Sequence, residues 1–169
     1  MRIEITKGSR DDAIRIVRRD GSTAATRFPK KGPIPHDAVH WFVERGLGLN
    51  DAFWGKIAKG AHPEELAALA KAAGHASASR AGDPAAGIVE LLQAERLVEC
   101  FEAELWCMAG GEADDAGLIA LAETACAASR VPVPALTPAT IAAIRGPLGA
   151  FAADWSAAPQ GHTVVLDWD

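Results

Sequence analysis

The sequence predicts an α+β fold in which a small antiparallel sheet packs against a helical bundle. Apolar residues alternate along residues 2–28, recur with helical spacing through residues 36–155, and alternate again along residues 162–168. A period of two is typical of half-buried strands, whereas apolar positions three or four apart are typical of amphipathic helices. We expect the carboxy-terminal strand to pair with the amino-terminal strands, because both would otherwise leave a sheet edge open.

The amino-terminal region, residues 1–31, is predicted to form a hairpin or three-stranded meander. Residues 2–6, 13–19 and 23–28 have strand character, and the last two segments flank Asp20-Gly21. An Asp-Gly pair between two such segments favours a two-residue type I′ turn, which needs positive φ at both positions. We therefore expect a tight hairpin between the second and third strands.

A proline-rich loop separates the strands from the first helix. Pro35 precedes an apolar-periodic segment at residues 36–46, and proline is tolerated in the first turn of a helix. Asn50 and Asp51 resemble the cap of a second helix at residues 52–58, because short polar side chains accept hydrogen bonds from the first amides of a helix.

The remaining helices are predicted from similar start and stop signals. We expect helices at residues 63–73, 88–108, 113–129 and 139–153. The third helix begins with Pro-Glu-Glu, and acidic residues suit the first turn of a helix. The small-residue-rich segment 74–87 is predicted to be a connector between the third and fourth helices. The longest helix, 88–108, contains neither Gly nor Pro and is expected to be central to the core.

Length and composition indicate one ordinary globular domain spanning residues 1–169. The chain is 49% hydrophobic and 23% charged, which is typical of soluble proteins. No stretch approaches the ~20 apolar residues of a membrane span, and charged residues stand where a secretory signal would be apolar. Three cysteines, an odd number, fit buried thiols better than a disulfide framework. We therefore expect a cytoplasmic protein that has no membrane partner.

The charge distribution argues against nucleic acid as a partner. The whole chain carries a net charge of −5, although residues 1–31 alone carry +5 and the remainder −10. Phosphate backbones are bound by clustered Lys and Arg, and no aromatic residues interleave with the basic ones to stack on bases. The basic strands are interpreted as a solvated face, with anion binding as the alternative. Partners are otherwise unspecified, and a homo-oligomer is left open.

The segment His36-Asp37-Ala38-Val39-His40 is the best candidate for chemistry. Two histidines four residues apart lie on one face of a helix, within reach of a single ion. Imidazole binds zinc and other divalent transition metals, and such a pair needs one or two further ligands. The alternative is that these histidines pack or hydrogen-bond to nearby carboxylates. Asp37 and Glu44 are candidate catalytic groups beside them.

The HDxxH pattern resembles the zinc motif of the coenzyme Q biosynthesis family. In that family the two histidines are followed about a dozen residues later by a Glu, and the corresponding position here is near Asp51. The resemblance covers about sixteen residues. It implies zinc as a cofactor, with His36, His40 and Asp51 as metal ligands.

A longer pattern is similar to a group of bacterial proteins that carry no assigned activity. These share an HDxxH segment, a Glu four residues later and a Phe-Trp-Gly, which correspond here to Glu44 and to Phe53-Trp54-Gly55. The similarity extends to the preceding hairpin. It therefore supports the predicted fold and implies no reaction.

An acidic stripe on the longest predicted helix offers further ligands. Glu95, Glu99 and Glu102 project onto one narrow arc that also contains apolar residues. Buried carboxylates are costly unless they are paired or bound to a metal. We favour salt bridges to Arg96 and to the basic hairpin, with metal ligation as the alternative.

The sequence leaves two main functions open, and a third possibility is a small-ligand pocket between the sheet and the helices, lined by Trp41, Phe42 and Trp54. The first is a metal-binding protein or metal-dependent enzyme with His36 and His40 as ligands, and with Asp51 or an acid of the long helix as the third. An activated water would then imply a hydrolase or lyase, with Asp37 or Glu44 as base or supporting group. The second is a non-catalytic interaction or structural module in which the His-Asp pair only stabilises a helix. No P-loop, dinucleotide-binding glycine motif or nucleophile elbow is present.

Overall fold

The predicted α+β class is confirmed by the computed structural model, which describes residues 1–73, 83–107 and 113–169. A four-stranded sheet is combined with six α-helices and one short 3₁₀ helix in these parts of the chain. The strands are β1 Arg2–Thr6, β2 Asp11–Val17, β3 Thr23–Pro29 and β4 Thr163–Asp167. The helices are α1 His36–Leu47, α2 Phe53–Ala58, α3 Pro63–Ala72, the 3₁₀ helix Ala86–Ile88, α4 Val89–Cys107, α5 Asp115–Ala128 and α6 Pro138–Ala157.

The sheet is entirely antiparallel, in the order β3-β2-β1-β4. Ile3 of β1 lies opposite Ile16 of β2 on one side and Leu166 of β4 on the other. The pairing of the carboxy-terminal strand with the amino-terminal meander is thereby confirmed. It covers the edge of β1 that the meander alone would leave open.

The hairpin between β2 and β3 is wider than the predicted type I′ turn. Arg18 N–H donates to Ser22 O at 2.9 Å, and Gly21 N–H donates to Arg18 O at 3.0 Å. Gly21 has φ of +84°, whereas in the described residues Arg130 alone among non-glycine residues has positive φ. Asp20 therefore lacks the conformation that type I′ needs. The loop has three residues and places only its glycine in the left-handed region.

The helices cover one face of the sheet. Ile3, Ile5 and Ile16 are completely buried on that face, where they join the main hydrophobic core. Helix α1 packs against both α4 and α6 and contributes buried Val39 and Val43. A β-carbon at Gly46 would lie 2.2 Å from Ile144, so glycine lets α1 and α6 approach closely.

Several helix boundaries match the sequence, but the predicted cap of α2 is wrong. Helix α2 begins at Phe53 after Ala52, which makes no side-chain capping bond. Asn50 instead donates to the Gly48 carbonyl, and the carboxylate of Asp51 binds two lysines. Asn50 and Asp51 therefore make their hydrogen bonds to groups other than the first amides of α2. The local sequence does not predict this choice of partners.

The later helices differ from prediction mainly at their ends. Helix α6 continues through Pro147 to Ala157, several residues beyond the expected end. Most of the predicted connector, 74–87, and the expected helix end at residue 108 lie outside the described residues. Cys100 and Cys126 are buried as expected, but Cys107 is exposed at the end of α4. None of the described helices is long and apolar enough to cross a membrane.

Candidate metal centre

Helices α1 and α4 bring two imidazoles and one carboxylate together. His36 and His40 lie one turn apart on α1, and Glu95 faces them from α4. One potential ligand atom from each residue can be chosen so that all three lie within 4.8 Å of one another. Among the described residues, no other group of three or more His, Cys, Asp or Glu side chains is close enough together to hold a metal ion.

The carboxylate of Glu95 is shared between the two rings. Its Oε2 lies 3.7 Å from Nε2 of His36, and its Oε1 lies 3.8 Å from Nε2 of His40. Both separations exceed the range of ordinary hydrogen bonds. Ligands about 2.1 Å from a tetrahedral ion stand about 3.4 Å apart, so the spacing leaves room for an ion between these atoms.

The opposite nitrogen of each ring binds another carboxylate. Nδ1 of His40 lies 2.9 Å from Oε1 of Glu44, and Nδ1 of His36 lies 3.0 Å from Oε1 of Glu102. A carboxylate at Nδ1 holds the proton there when the imidazole is neutral, which frees Nε2 for a metal. Both rings are thus oriented with Nε2 toward Glu95.

Glu44 is fixed in turn by the Phe-Trp-Gly segment. The backbone N–H of Trp54 donates to Oε2 of Glu44 at 2.9 Å, and the indole Nε1–H of Trp54 donates to the Asp37 carbonyl at 2.9 Å. A β-carbon on Gly55 would lie 2.2 Å from the Asn50 carbonyl oxygen. Glycine at this position therefore allows the chain to pass closely enough to present the Trp54 amide to Glu44.

The environment favours the protonated form of both histidines when no ion is bound. Burial by itself would lower the pKa of His40, but Glu44 and Glu95 outweigh it and raise that pKa to about 10. The pKa of His36 is likewise raised, because the carboxylates of Glu102 and Glu95 outweigh the effect of burial. Two positive charges are therefore stabilised where a cation would sit.

The pKa values of Glu95 and Asp37 shift in opposite directions. Burial would raise the pKa of Glu95, but the two imidazoles hold it well below its ordinary value. Burial dominates at Asp37, where it raises the carboxyl pKa despite the attraction of His36 and His40. Glu95 is thus ready to bind a cation as a carboxylate, whereas Asp37 more readily holds a proton.

A cavity of about 260 Å³ opens beside this group. His36, Asp37, His40 and Glu95 form its polar inner end, and Phe53 lies beside them. The remaining lining comes from the ends of β2 and β3, the loop before α1, and α3: Asp12, Phe28, Pro29, Lys30, Lys31, Pro35, Ala67 and Lys71. The candidate ligands therefore face space that a small molecule can enter.

Asp51, the expected third ligand, lies outside the group. Its carboxylate accepts from Lys56 at 2.9 Å and from Lys59 at 2.8 Å, and these bonds lower its pKa. The structure instead favours the alternative third ligand, an acid of the long helix. Glu95 lies beside the two histidines because α4, and not the start of α2, faces them.

The candidate catalytic residues are placed differently from each other. Asp37 lines the cavity, as a group acting on a substrate would have to do. Glu44 is fully buried, does not line the cavity, and uses one oxygen for His40 and the other for Trp54. Both oxygens of Glu44 hold other groups, which matches the supporting role that the sequence left open beside that of a base, and a catalytic role for Glu44 stays a prediction.

The three glutamates of the acidic stripe on α4 have two kinds of partner. Glu99 pairs with Arg96 at 2.9 Å, as favoured from the sequence. Glu95 and Glu102 contact the histidines instead, so the preference for arginine and hairpin partners is wrong for them. The sequence does contain a signal for them. Glu95 and Glu102 are seven residues apart, which places both on the same face of α4, and such a pair of acids suits a pair of histidines on a neighbouring helix.

Comparison with known proteins adds no relative. No protein-family model, no curated protein and no solved structure matches the chain.

Proposed function

We propose that this protein binds a divalent transition metal ion, zinc foremost, through Nε2 of His36, Nε2 of His40 and a carboxylate oxygen of Glu95. We further propose that the ion serves catalysis, as in a metal-dependent hydrolase or lyase. Two imidazoles and one carboxylate form a set that binds catalytic zinc and non-haem iron(II) in other proteins.

One observation carries this proposal: both Nε2 atoms face the same carboxylate while both Nδ1 atoms are engaged behind them. Glu44 and Glu102 supply these outer contacts at 2.9 and 3.0 Å. Metal-ligating histidines characteristically donate their second N–H to a carboxylate or carbonyl. The arrangement thus accounts for five buried or half-buried ionisable side chains, three on α1 and two on α4, that would otherwise be costly.

The catalytic part of the proposal rests on the open side of the centre. Three protein ligands leave a coordination position for water or substrate, as in catalytic zinc sites. The cavity lies on that side, and Asp37 lines it next to His36. Asp37 would accept or donate a proton there, and a bound divalent cation would favour its ionised form. The ion itself would polarise a substrate oxygen or acidify water.

The resemblance of His36-Asp37-Ala38-Val39-His40 to the HDxxH zinc motif supports zinc over other ions. In the proposal Glu95 replaces the sequence-predicted Asp51 as the carboxylate ligand. The Phe-Trp-Gly segment acquires a role as well, since the Trp54 amide holds Glu44 behind His40.

The test is a zinc titration of ion-free protein against a chromophoric chelator, with Glu95→Gln beside Glu99→Gln. Glu95→Gln keeps the side-chain shape and removes the anionic ligand, whereas Glu99 lies one turn along α4 and pairs with Arg96. We expect one zinc equivalent in the wild type and in Glu99→Gln, and at least about 10-fold weaker binding in Glu95→Gln. Equal affinity in all three proteins would overturn the proposed centre.

A non-catalytic structural role is the second candidate. With no ion bound, the raised pKa values of His36 and His40 let both imidazoles form ion pairs with Glu44, Glu95 and Glu102 across α1 and α4. Such a network could simply lock the two helices together. A His36→Ala, His40→Ala double variant that loses stability, while neither it nor the wild type takes up metal, would favour this role.

A further inference from the structure

We propose that the cavity beside the candidate metal centre binds a small anionic molecule that carries a carboxylate or phosphate group on an apolar body. The anionic group would engage Lys31 and Lys71, and the rest of the molecule would extend toward the histidines. This inference rests on the proposed function, since it supplies a substrate class for that same site.

Charge at the cavity is the first observation. Three lysines line it, and Lys30 is already engaged by the Gly8 carbonyl at 2.7 Å and by Asp12 at 3.5 Å. Lys31 and Lys71 are exposed and make no hydrogen bond or ion pair with any residue in the described parts of the chain. Two ammonium groups are therefore available to a ligand.

The carboxylates of the cavity leave these lysines uncompensated. Asp12 is paired with Lys30, and Glu95 lies between the two imidazoles. Asp37 is the remaining acid in the lining, and it is buried at the inner end beside His36. A divalent ion on the histidines would add further positive charge. The lining thus favours an anion over a neutral molecule or a cation.

The rest of the lining specifies the body of the ligand. Phe28, Phe53, Pro35 and Ala67 contribute apolar surface to the same lining. The volume of about 260 Å³ is slightly below the range of roughly 300–1,000 Å³ that is usual for small-molecule sites, so the ligand must be small. A small anion with a ring or short hydrocarbon chain fits this lining, whereas a polymer segment would have to remain outside.

The experiment measures ligand binding to the metal-loaded protein by calorimetry. The probes are phenylacetate, phenyl phosphate and the neutral phenylacetamide, which share an aromatic body and differ in charge. The proteins are the wild type, Lys31→Met with Lys71→Met, and Lys59→Met as a control. Lys59 is also exposed but lies outside the cavity, near Asp51.

We expect at least one anionic probe to bind about 10-fold or more tightly than phenylacetamide, and the double variant to lose that preference. Lys59→Met should keep it. The stronger of the two anions then identifies carboxylate or phosphate as the recognised group. Equal binding of all three probes, no binding of either anion, or an unchanged preference in the double variant would overturn the inference.

Failure of the inference is distinguishable from failure of the proposed centre. Metal content is measured on every sample before the probes are added. A protein that holds one metal equivalent and shows no anion preference would refute the substrate class while leaving the metal centre intact. A protein that takes up no metal would refute the centre, and the inference with it.

Discussion

Glu44 accepts a hydrogen bond from Nδ1 of His40 at 2.9 Å in a pair whose side chains are almost completely inaccessible to solvent. The contact joins positions i and i+4 of α1, so it follows directly from helix geometry. It turns Nε2 of His40 toward Glu95 on α4. The candidate metal centre is thus oriented by a residue that the metal would never touch.

Replacing Glu44 tests this orientation. Glu44→Gln keeps the shape of the side chain but removes the charge at Nδ1 of His40, so we expect zinc affinity, corrected for the protons that zinc displaces, to fall about 10- to 100-fold. A chelator-competition titration of the folded variant measures the change. Glu99→Gln, which changes the acid that pairs with Arg96, should bind zinc like the wild type. Unchanged affinity in Glu44→Gln would show that its contact with His40 is irrelevant to binding.

Gly55 is predicted to be essential for holding Glu44 in place behind His40. A β-carbon there would lie 2.2 Å from the backbone carbonyl of Asn50, so Gly55→Ala must displace the segment that presents the Trp54 amide. We expect a loss of about 1–3 kcal/mol in the free energy of unfolding, measured by urea denaturation, together with weaker zinc binding.

Gly149→Ala is the matched control for that substitution. No atom lies within 4 Å of the position that a β-carbon would take at Gly149, which is inside α6. Alanine favours helix over glycine, so stability should be unchanged or higher by up to about 1 kcal/mol. A Gly55→Ala protein as stable as Gly149→Ala would contradict the close approach seen at Asn50.

Zinc binding is predicted to release protons and to strengthen as pH rises. The neighbouring carboxylates raise the pKa of His40 to about 10 and also raise that of His36, so the ion-free protein holds protons that a metal must displace. The apparent affinity should increase roughly 10-fold per pH unit for each imidazole that remains protonated. Calorimetry between pH 6.5 and 8.5, in buffers of different ionisation enthalpy, measures the number released.

The direction of this dependence has its own control. Removing the Glu44 charge lowers the pKa of His40, so Glu44→Gln should release fewer protons than the wild type at the same pH. Affinity that is independent of pH, or proton uptake on binding, would contradict the assignment of the two imidazoles as ligands.

Metal binding should also stabilise the fold. An ion bound only by the native protein adds about 2.7 kcal/mol at a free concentration 100 times Kd. Thermal unfolding with zinc, with zinc plus EDTA, and with EDTA alone measures the effect. We expect zinc to raise Tm in the wild type, EDTA to reverse the increase, and the His36→Ala, His40→Ala variant to show neither change. A Tm that does not respond to zinc in any protein would favour the structural role instead.

The fold was predictable to the extent that it depends on local periodicity. Apolar residues alternate in β1 and β4 and recur with helical spacing in α1 and α4, because each element turns one face toward the core. These elements can therefore be predicted from short stretches of sequence. The loop between β2 and β3 was predicted less well. Asp20-Gly21 is compatible with two turn types, and the pairing of Arg18 with Ser22 selects between them.

The sequence predicts the two histidines of the candidate site but not the identity of its carboxylate. The spacing of His36 and His40 fixes their relation within one helix, whatever surrounds it. Glu95 is 55 residues beyond His40 in the sequence and meets the histidines only because α1 packs against α4. Asp51 is nearer to the histidines in sequence, but it forms ion pairs with Lys56 and Lys59 instead. The HDxxH motif does not predict these ion pairs.

Anomalous diffraction at the zinc absorption edge, from crystals of the zinc-loaded protein, would locate the ion directly. Zinc at the proposed centre would give one strong peak about 2.0–2.2 Å from Nε2 of His36, Nε2 of His40 and an oxygen of Glu95. A peak at other residues, or none at these three in protein that holds zinc, would contradict the proposed centre.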